Sequence, residues 1–133
     1  MTSVITVFVV LVTAFLLIFL FPLVKVEGDS MFPTFRNGRV LLCRRLFKFN
    51  KDNCKEGKIY VIHLRDEENG NPYFIIKRLK SKYVIEGKTF YDFRGDNVLV
   101  SYDSRQHGLF DSNRVVAKVI GNFKNKYECY QKG

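Results

Sequence analysis

Three groups of side chains could do chemistry together. The first is Ser30, set in Gly28-Asp29-Ser30-Met31-Phe32-Pro33-Thr34. Gly28 lets the backbone bend without a Cβ penalty. Pro33 has no N–H with which to continue a ladder. The serine therefore belongs to an exposed bend, and the plain alternative is a turn leading into a first strand. The second is Lys77, in Tyr73-Phe74-Ile75-Ile76-Lys77-Arg78-Leu79. Strand alternation puts Lys77 on one face with Tyr73, Ile75 and Leu79, and Arg78 on the other. A charge on an apolar face is costly. Either Lys77 sits on an edge strand and snorkels to water, or it is a desolvated amine. An ordinary lysine titrates at about 10.4, and a fall of roughly two to three units, about 3–4 kcal/mol, would make it a base near neutral pH. The third group is Gly95-Asp96-Asn97 with Ser101, Asp103-Ser104-Arg105 and Gly108. In an extended segment Asp103 and Arg105 share a face and can pair as a carboxylate–guanidinium brace. Ser101 could then hydrogen-bond a group lying across from it. An ordinary surface loop is the alternative.

These residues need a scaffold of modest size. The chain has 133 residues, which allows one domain. Its 22 Lys and Arg against 13 Asp and Glu give a net charge of +9. A basic surface can face nucleic acid or an anionic membrane. No zinc-finger spacing, RNA-binding box or basic helix is present, so no nucleic-acid partner is expected; lipid headgroups are the more economical one. Cys43, Cys54 and Cys129 are odd in number and none are in CxxC spacing, so no disulfide framework is expected, and a single bridge cannot be deduced. The two histidines and scattered acids lack ligand spacing; no metal and no cofactor are expected.

Residues 4–24 read VITVFVVLVTAFLLIFLFPLV, with no charge before Lys25. As a helix, about 21 residues span ~32 Å, matching a bilayer core of ~30 Å. A cleavable signal peptide is the alternative, but no basic n-region precedes the run and no small-x-small site follows it. A retained single-span anchor over residues 1–25 is expected, followed by a domain over residues 26–133. Basic residues flank only its C-terminal side, which by charge alone favours a cytoplasmic domain. After the anchor the pattern is β. Strands are expected over residues 39–43, 58–64 and 73–79, the last two joined by an Asn-Gly hairpin turn. Residues 82–86 and 88–93 read as a second hairpin around Gly87. Residues 114–120 read as a last strand ended by Gly121. Residues 44–56 read as irregular. The fold class is mainly β, a small antiparallel barrel or sandwich behind one transmembrane helix.

Taken together, the three groups resemble the boxes of the type I signal peptidases of bacteria and organelles, which are Ser–Lys serine proteases. Gly28 to Thr34 resembles the nucleophile box, Ile76-Lys77-Arg78 the lysine box, and Gly95-Asp96-Asn97-x3-Ser101-x-Asp103-Ser104-Arg105-x2-Gly108 the third box. The match runs from about residue 4 to residue 121. The resemblance implies Ser30 as nucleophile and Lys77 as general base, with Ser101 holding the amine and Asp103 and Arg105 bracing the site. It also implies a catalytic β-domain on the extracytoplasmic side, against the charge rule. The substrates implied are preproteins with small residues before the scissile bond. The membrane implied is a bacterial plasma membrane first, a mitochondrial inner membrane second.

The chain departs from the family in places. Some members draw a second oxyanion donor from a serine hydroxyl two residues before the nucleophile; here that residue is Gly28. Gly57-Lys58 stands where Gly-Asp is common. The segment between Lys77 and Gly95 is short, as in a minimal member, some of which mature one dedicated substrate. His63 and His107 are the rival bases, because endoplasmic-reticulum relatives use histidine, but His63 lacks the box context. Two other readings compete. One is a self-cleaving regulator of the repressor type, which shares the dyad. The other is a non-enzymatic, membrane-tethered β-domain.

Overall fold

In the computed structural model, which describes residues 1–123, helix α1 spans Thr2–Leu20 and buries none of its residues against the protein. Cys129 lies outside the described residues. At 19 residues α1 is about 28 Å long, close to the bilayer core. It is the one described helix long and apolar enough to cross a membrane. The helix stops short of the end of the apolar run. Pro22 disfavours a helical Phe21, which turns out at φ −123° and ψ 72°. The run's last residues join β1 (Leu23–Lys25) instead.

The other strands are β2 (Val40–Arg45), β3 (Ile59–Arg65), β4 (Pro72–Ile85), β5 (Lys88–Arg94), β6 (Phe110–Asp111) and β7 (Val115–Phe123). They form one seven-stranded sheet in the order β1-β2-β7-β3-β4-β5-β6, with every pair antiparallel. The mainly β, antiparallel class read from the sequence is the class observed. The Asn-Gly turn closes β3 onto β4 as expected, with Asp66 accepting from the backbone N–H groups of Glu68 and Asn69.

Three elements differ from expectation. The strands read at residues 73–79 and 82–86 are one 14-residue strand, β4. A bulge between Leu79 and Ser81 absorbs the polar break that looked like a strand end. Gly121 does not end β7; it pairs with Leu42 beside a second bulge, which carries the strand on to Phe123. Inside the stretch read as irregular lie the end of β2 and a 3-10 turn at Lys51–Asn53. Beyond α1 the only α-helix described is one turn, α2 (Ser104–His107).

Strand β3 is central because both of its faces are buried. Tyr60, Ile62 and Leu64 join Leu79, Tyr91, Phe93, Phe110 and Val115 in one core. Phe93 sits edge-on to Tyr60, Tyr91 and Phe110 at 5.5–6.0 Å between ring centres. On the opposite face, Ile59 and Val61 pack with Val26, Met31, Phe35, Leu41 and Ala117 in a second core. Strand β4 changes neighbours at Arg78, which pairs with Ile59 of β3 and Arg94 of β5. Residues 73–77 pair with β3 alone, so their other edge is open.

Truncating the hub of the aromatic core, Phe93→Ala, is expected to lower stability by about 3–5 kcal/mol. Val84→Ala, at a position two-thirds exposed, should stay within about 0.5 kcal/mol. Urea midpoints of the two variants in detergent measure the difference.

Candidate active site

The loop carrying Ser30 is pinned from below. Met31 and Phe35 are almost fully buried in the second core, while Phe32 between them is exposed. Gly28 takes φ +81°, which a residue with a Cβ adopts only with strain, and its N–H donates to Asn37 Oδ1 at 3.0 Å. The loop is closed at its base by Gly38 N–H to the Val26 carbonyl (2.7 Å) and Val26 N–H to the Arg39 carbonyl (2.8 Å). With its neighbours held down, Ser30 stays half-exposed at the wall of a cavity of about 350 Å³.

Lys77 lines the same cavity. It pairs with Tyr60 across β3 and β4 and is only 3% exposed. The snorkelling alternative is therefore not what the chain adopts. Its Nζ donates to Ser101 Oγ at 3.1 Å, and Ser101 Oγ donates to Asp103 Oδ2 at 2.7 Å. Burial lowers the Lys77 pKa; the Asp103 charge opposes this and the Arg105 charge assists it. Among the described residues the Ser30 hydroxyl has no hydrogen bond to this amine. Catalytic hydrogen bonds are often long in substrate-free sites and tighten on binding.

Asp103 is fully buried. Burial alone would raise its pKa, but hydrogen bonds from Arg105, the Gly95 N–H and Ser101 hold the carboxyl well below the usual range. The brace between Asp103 and Arg105 exists, but not through the extended geometry expected. Asp103 is the N-cap of α2, with a capping box completed by Gln106. Its carboxylate takes both the Arg105 backbone N–H (3.1 Å) and the guanidinium (2.6 and 2.9 Å). A cap rather than a shared strand face brings them together.

The Gly95-Asp96-Asn97 turn supplies contacts to which the sequence assigned no role. Asn97 N–H donates to the Ser30 carbonyl (2.9 Å), and its side-chain amide to the Asp29 carbonyl (3.0 Å). Asp96 takes both arms of the Arg78 fork (2.8 and 2.9 Å) and the Thr34 hydroxyl. One turn thus joins the serine loop to the residue beside the lysine. Gly95 packs where no side chain fits: an added Cβ would lie 2.1 Å from Ser101 Oγ and 2.6 Å from the Ser30 carbonyl. The only signal in the sequence was the Gly-Asp-Asn composition, which reads equally as any polar turn.

His63 and His107 stand elsewhere. His63 packs on Phe74 at 5.2 Å, and exposed His107 stacks flat on Phe110 at 4.3 Å. Neither lines the cavity shared by Ser30 and Lys77.

A family model described as Peptidase S24-like matches residues 21–91, just over half of the chain. No curated protein matches the chain significantly. The matched stretch contains Ser30 and Lys77 and ends before Ser101, Asp103 and Arg105.

Gly95→Ala is expected to reduce peptidase turnover by ~10²-fold through displacement of Ser101 and the serine loop, and to cost about 1–3 kcal/mol of stability. Peptide cleavage and urea unfolding of one preparation measure both. Lys77→Met should do the opposite to stability. The unfolded chain binds the lysine proton at pH values where the folded chain has released it. Stability therefore rises with pH between the lowered folded value and the usual one, and below that window the penalty is complete. Removing the amine should stabilise the fold at neutral pH by about 1 kcal/mol. The gain should shrink at alkaline pH.

Proposed function

The chain belongs to the Peptidase S24-like family, a family of serine peptidases, and from that premise we propose a membrane-anchored endopeptidase of the signal-peptidase type. The observation that carries this reading is the buried, depressed amine of Lys77 in one cavity with a surface-held serine. Neutral Lys77 takes the proton of Ser30 Oγ as that oxygen attacks the scissile carbonyl carbon. The tetrahedral intermediate collapses, the C–N bond breaks, and the Lys77 ammonium returns the proton to the departing amine. Water then attacks the Ser30 ester, with Lys77 again as base. Ser101 accepts one N–H of the amine, which leaves the nitrogen lone pair for the hydroxyl. The Ser30 backbone N–H has no partner among the described residues and is the first oxyanion donor.

The open edge of residues 73–77 faces residues 24–27 across the cavity. An extended substrate fits there by strand addition, with its side chains meeting Val26, Met31 and Ile76. Small apolar residues before the cleaved bond suit those walls. The anchor α1 ends ten residues before Ser30, which keeps the site near the bilayer where preprotein leader peptides emerge. The extracytoplasmic face, and a bacterial plasma membrane or mitochondrial inner membrane, belong to this proposal. The family match also suits a self-cleaving regulator.

In detergent, cleavage of a preprotein should fall by ~10⁴-fold or more in Ser30→Ala and Lys77→Ala. Lys77→Arg should be equally inactive because a guanidinium does not release its proton. Wild-type cleavage should rise with pH through a midpoint below the ordinary lysine value of about 10.4. Undiminished cleavage in either alanine variant would refute the dyad. Defined self-cleavage of the purified chain, without activity on added preprotein, would replace this reading by the regulator.

A further inference from the structure

On the face of the sheet that carries Tyr60 lies a second cavity, of about 380 Å³. It plays no part in the chemistry above. Arg44, Lys55 and Lys118 line it, and no acidic side chain does. Arg44 and Lys118 are direct cross-strand partners on β2 and β7. Like charges so placed repel. Burial first, and then the charges of Arg44, Lys55 and Lys58, push the Lys118 pKa down. Asn50 also lines the cavity, and its Oδ1 is buried without a hydrogen-bond partner. That oxygen is an acceptor and takes no part in binding an anion; the three cations, with no acid among the lining residues, are what an anion would neutralise.

The rim says where that anion comes from. Phe47 and Phe49 stack at 6.0 Å on the loop after β2, and Phe49 is 77% exposed. The loop begins at the residue that fastens the domain to α1. Arg45 Nε donates to the Phe19 carbonyl at 2.8 Å, and its guanidinium lies 4.5 Å over the Phe19 ring. Phe49 follows Arg45 by four residues, so its Cα is at most ~14 Å from that of Arg45, whose side chain reaches the end of the anchor. Aromatic rings at that depth belong in the headgroup region. We propose that this cavity holds the phosphate of an anionic membrane lipid, with Phe47 and Phe49 inserted into the interface beside it. The proposal rests on α1 being a membrane anchor, but not on the peptidase chemistry. It would tie the domain to the bilayer at a second point and limit its rotation about the helix end.

The chain has no tryptophan, so Phe49→Trp gives the full-length protein a single fluorescent probe. The protein is reconstituted into vesicles of phosphatidylcholine, or of equal parts phosphatidylcholine and phosphatidylglycerol, with and without brominated acyl chains. Emission should be blue-shifted and bromine-quenched in the anionic vesicles and weaker in both respects in phosphatidylcholine. Adding Arg44→Ala and Lys118→Ala should abolish that difference. Equal quenching in both lipids overturns the phosphate site, and solvent-like emission in both overturns the docking. Inorganic phosphate at constant ionic strength should leave the shift in place; reversal assigns the cavity to free phosphate and overturns the lipid. Carbonate extraction reads the anchor separately, and a chain stripped from both vesicles overturns the anchor and this proposal with it. Cleavage of a soluble peptide by the Arg44→Ala, Lys118→Ala chain is expected unchanged, which separates failure here from failure of the peptidase.

Discussion

A lysine amine held out of water is the constraint around which the other contacts are arranged. Lys77 is 3% exposed and touches the polar interior through Ser101. A buried ammonium is disfavoured, so desolvation drives the group towards the neutral form. A carboxylate beside it works against this, because Asp103 would hold the proton on by ion pairing. Arg105 resolves the conflict. Its fork takes the Asp103 charge at 2.6 and 2.9 Å and adds a positive charge of its own. Ser101 then stands between amine and carboxylate as a neutral spacer, accepting from one and donating to the other. The buried acid thus sets geometry without restoring the charge that burial removes.

The scaffold meets this constraint by joining three distant segments. Strand β4 supplies the lysine from a stretch bonded on one side only, which leaves an edge open toward the cavity. The serine loop is anchored by Met31 and Phe35 in a core separate from the aromatic one. The turn at residues 95–97 holds the two together through backbone carbonyls and the Asp96–Arg78 pair. Arg78 and Asp96 are partly exposed at 37% and 17%, so this pair is worth more for position than for stability. Close approach at Gly95 makes the join tight, since even a methyl group would collide there.

A domain joined to a long helix at one end is free to turn about the joint unless something else restrains it. The grip of Arg45 on the end of α1 supplies one restraint. The cations around Lys118 are concentrated in one cavity rather than spread like a general solubilising charge. That positive potential, next to exposed phenyl rings, is what supports the lipid contact proposed above.

Much was already legible in the linear chain. The apolar N-terminal helix, the β class and the Asn-Gly hairpin follow from hydropathy, alternation and turn chemistry, which are local. Ser30, Lys77, Ser101, Asp103 and Arg105 could be picked out by residue type and spacing. What spacing could not settle was whether Lys77 reached water, since alternation gives the face of a strand and not what covers it. Only the fold decided that, by laying β3 and the third segment over the amine. The cap geometry of Asp103, the clamp from Asn97 and the lack of room at Gly95 were likewise invisible, because each depends on residues more than 60 positions apart or on a helix of one turn. The continuity of β4 was missed for a related reason: its bulge hides a long strand behind a local polar break. Local chemistry singled out the candidate groups, and long-range packing fixed their burial and the contacts between them.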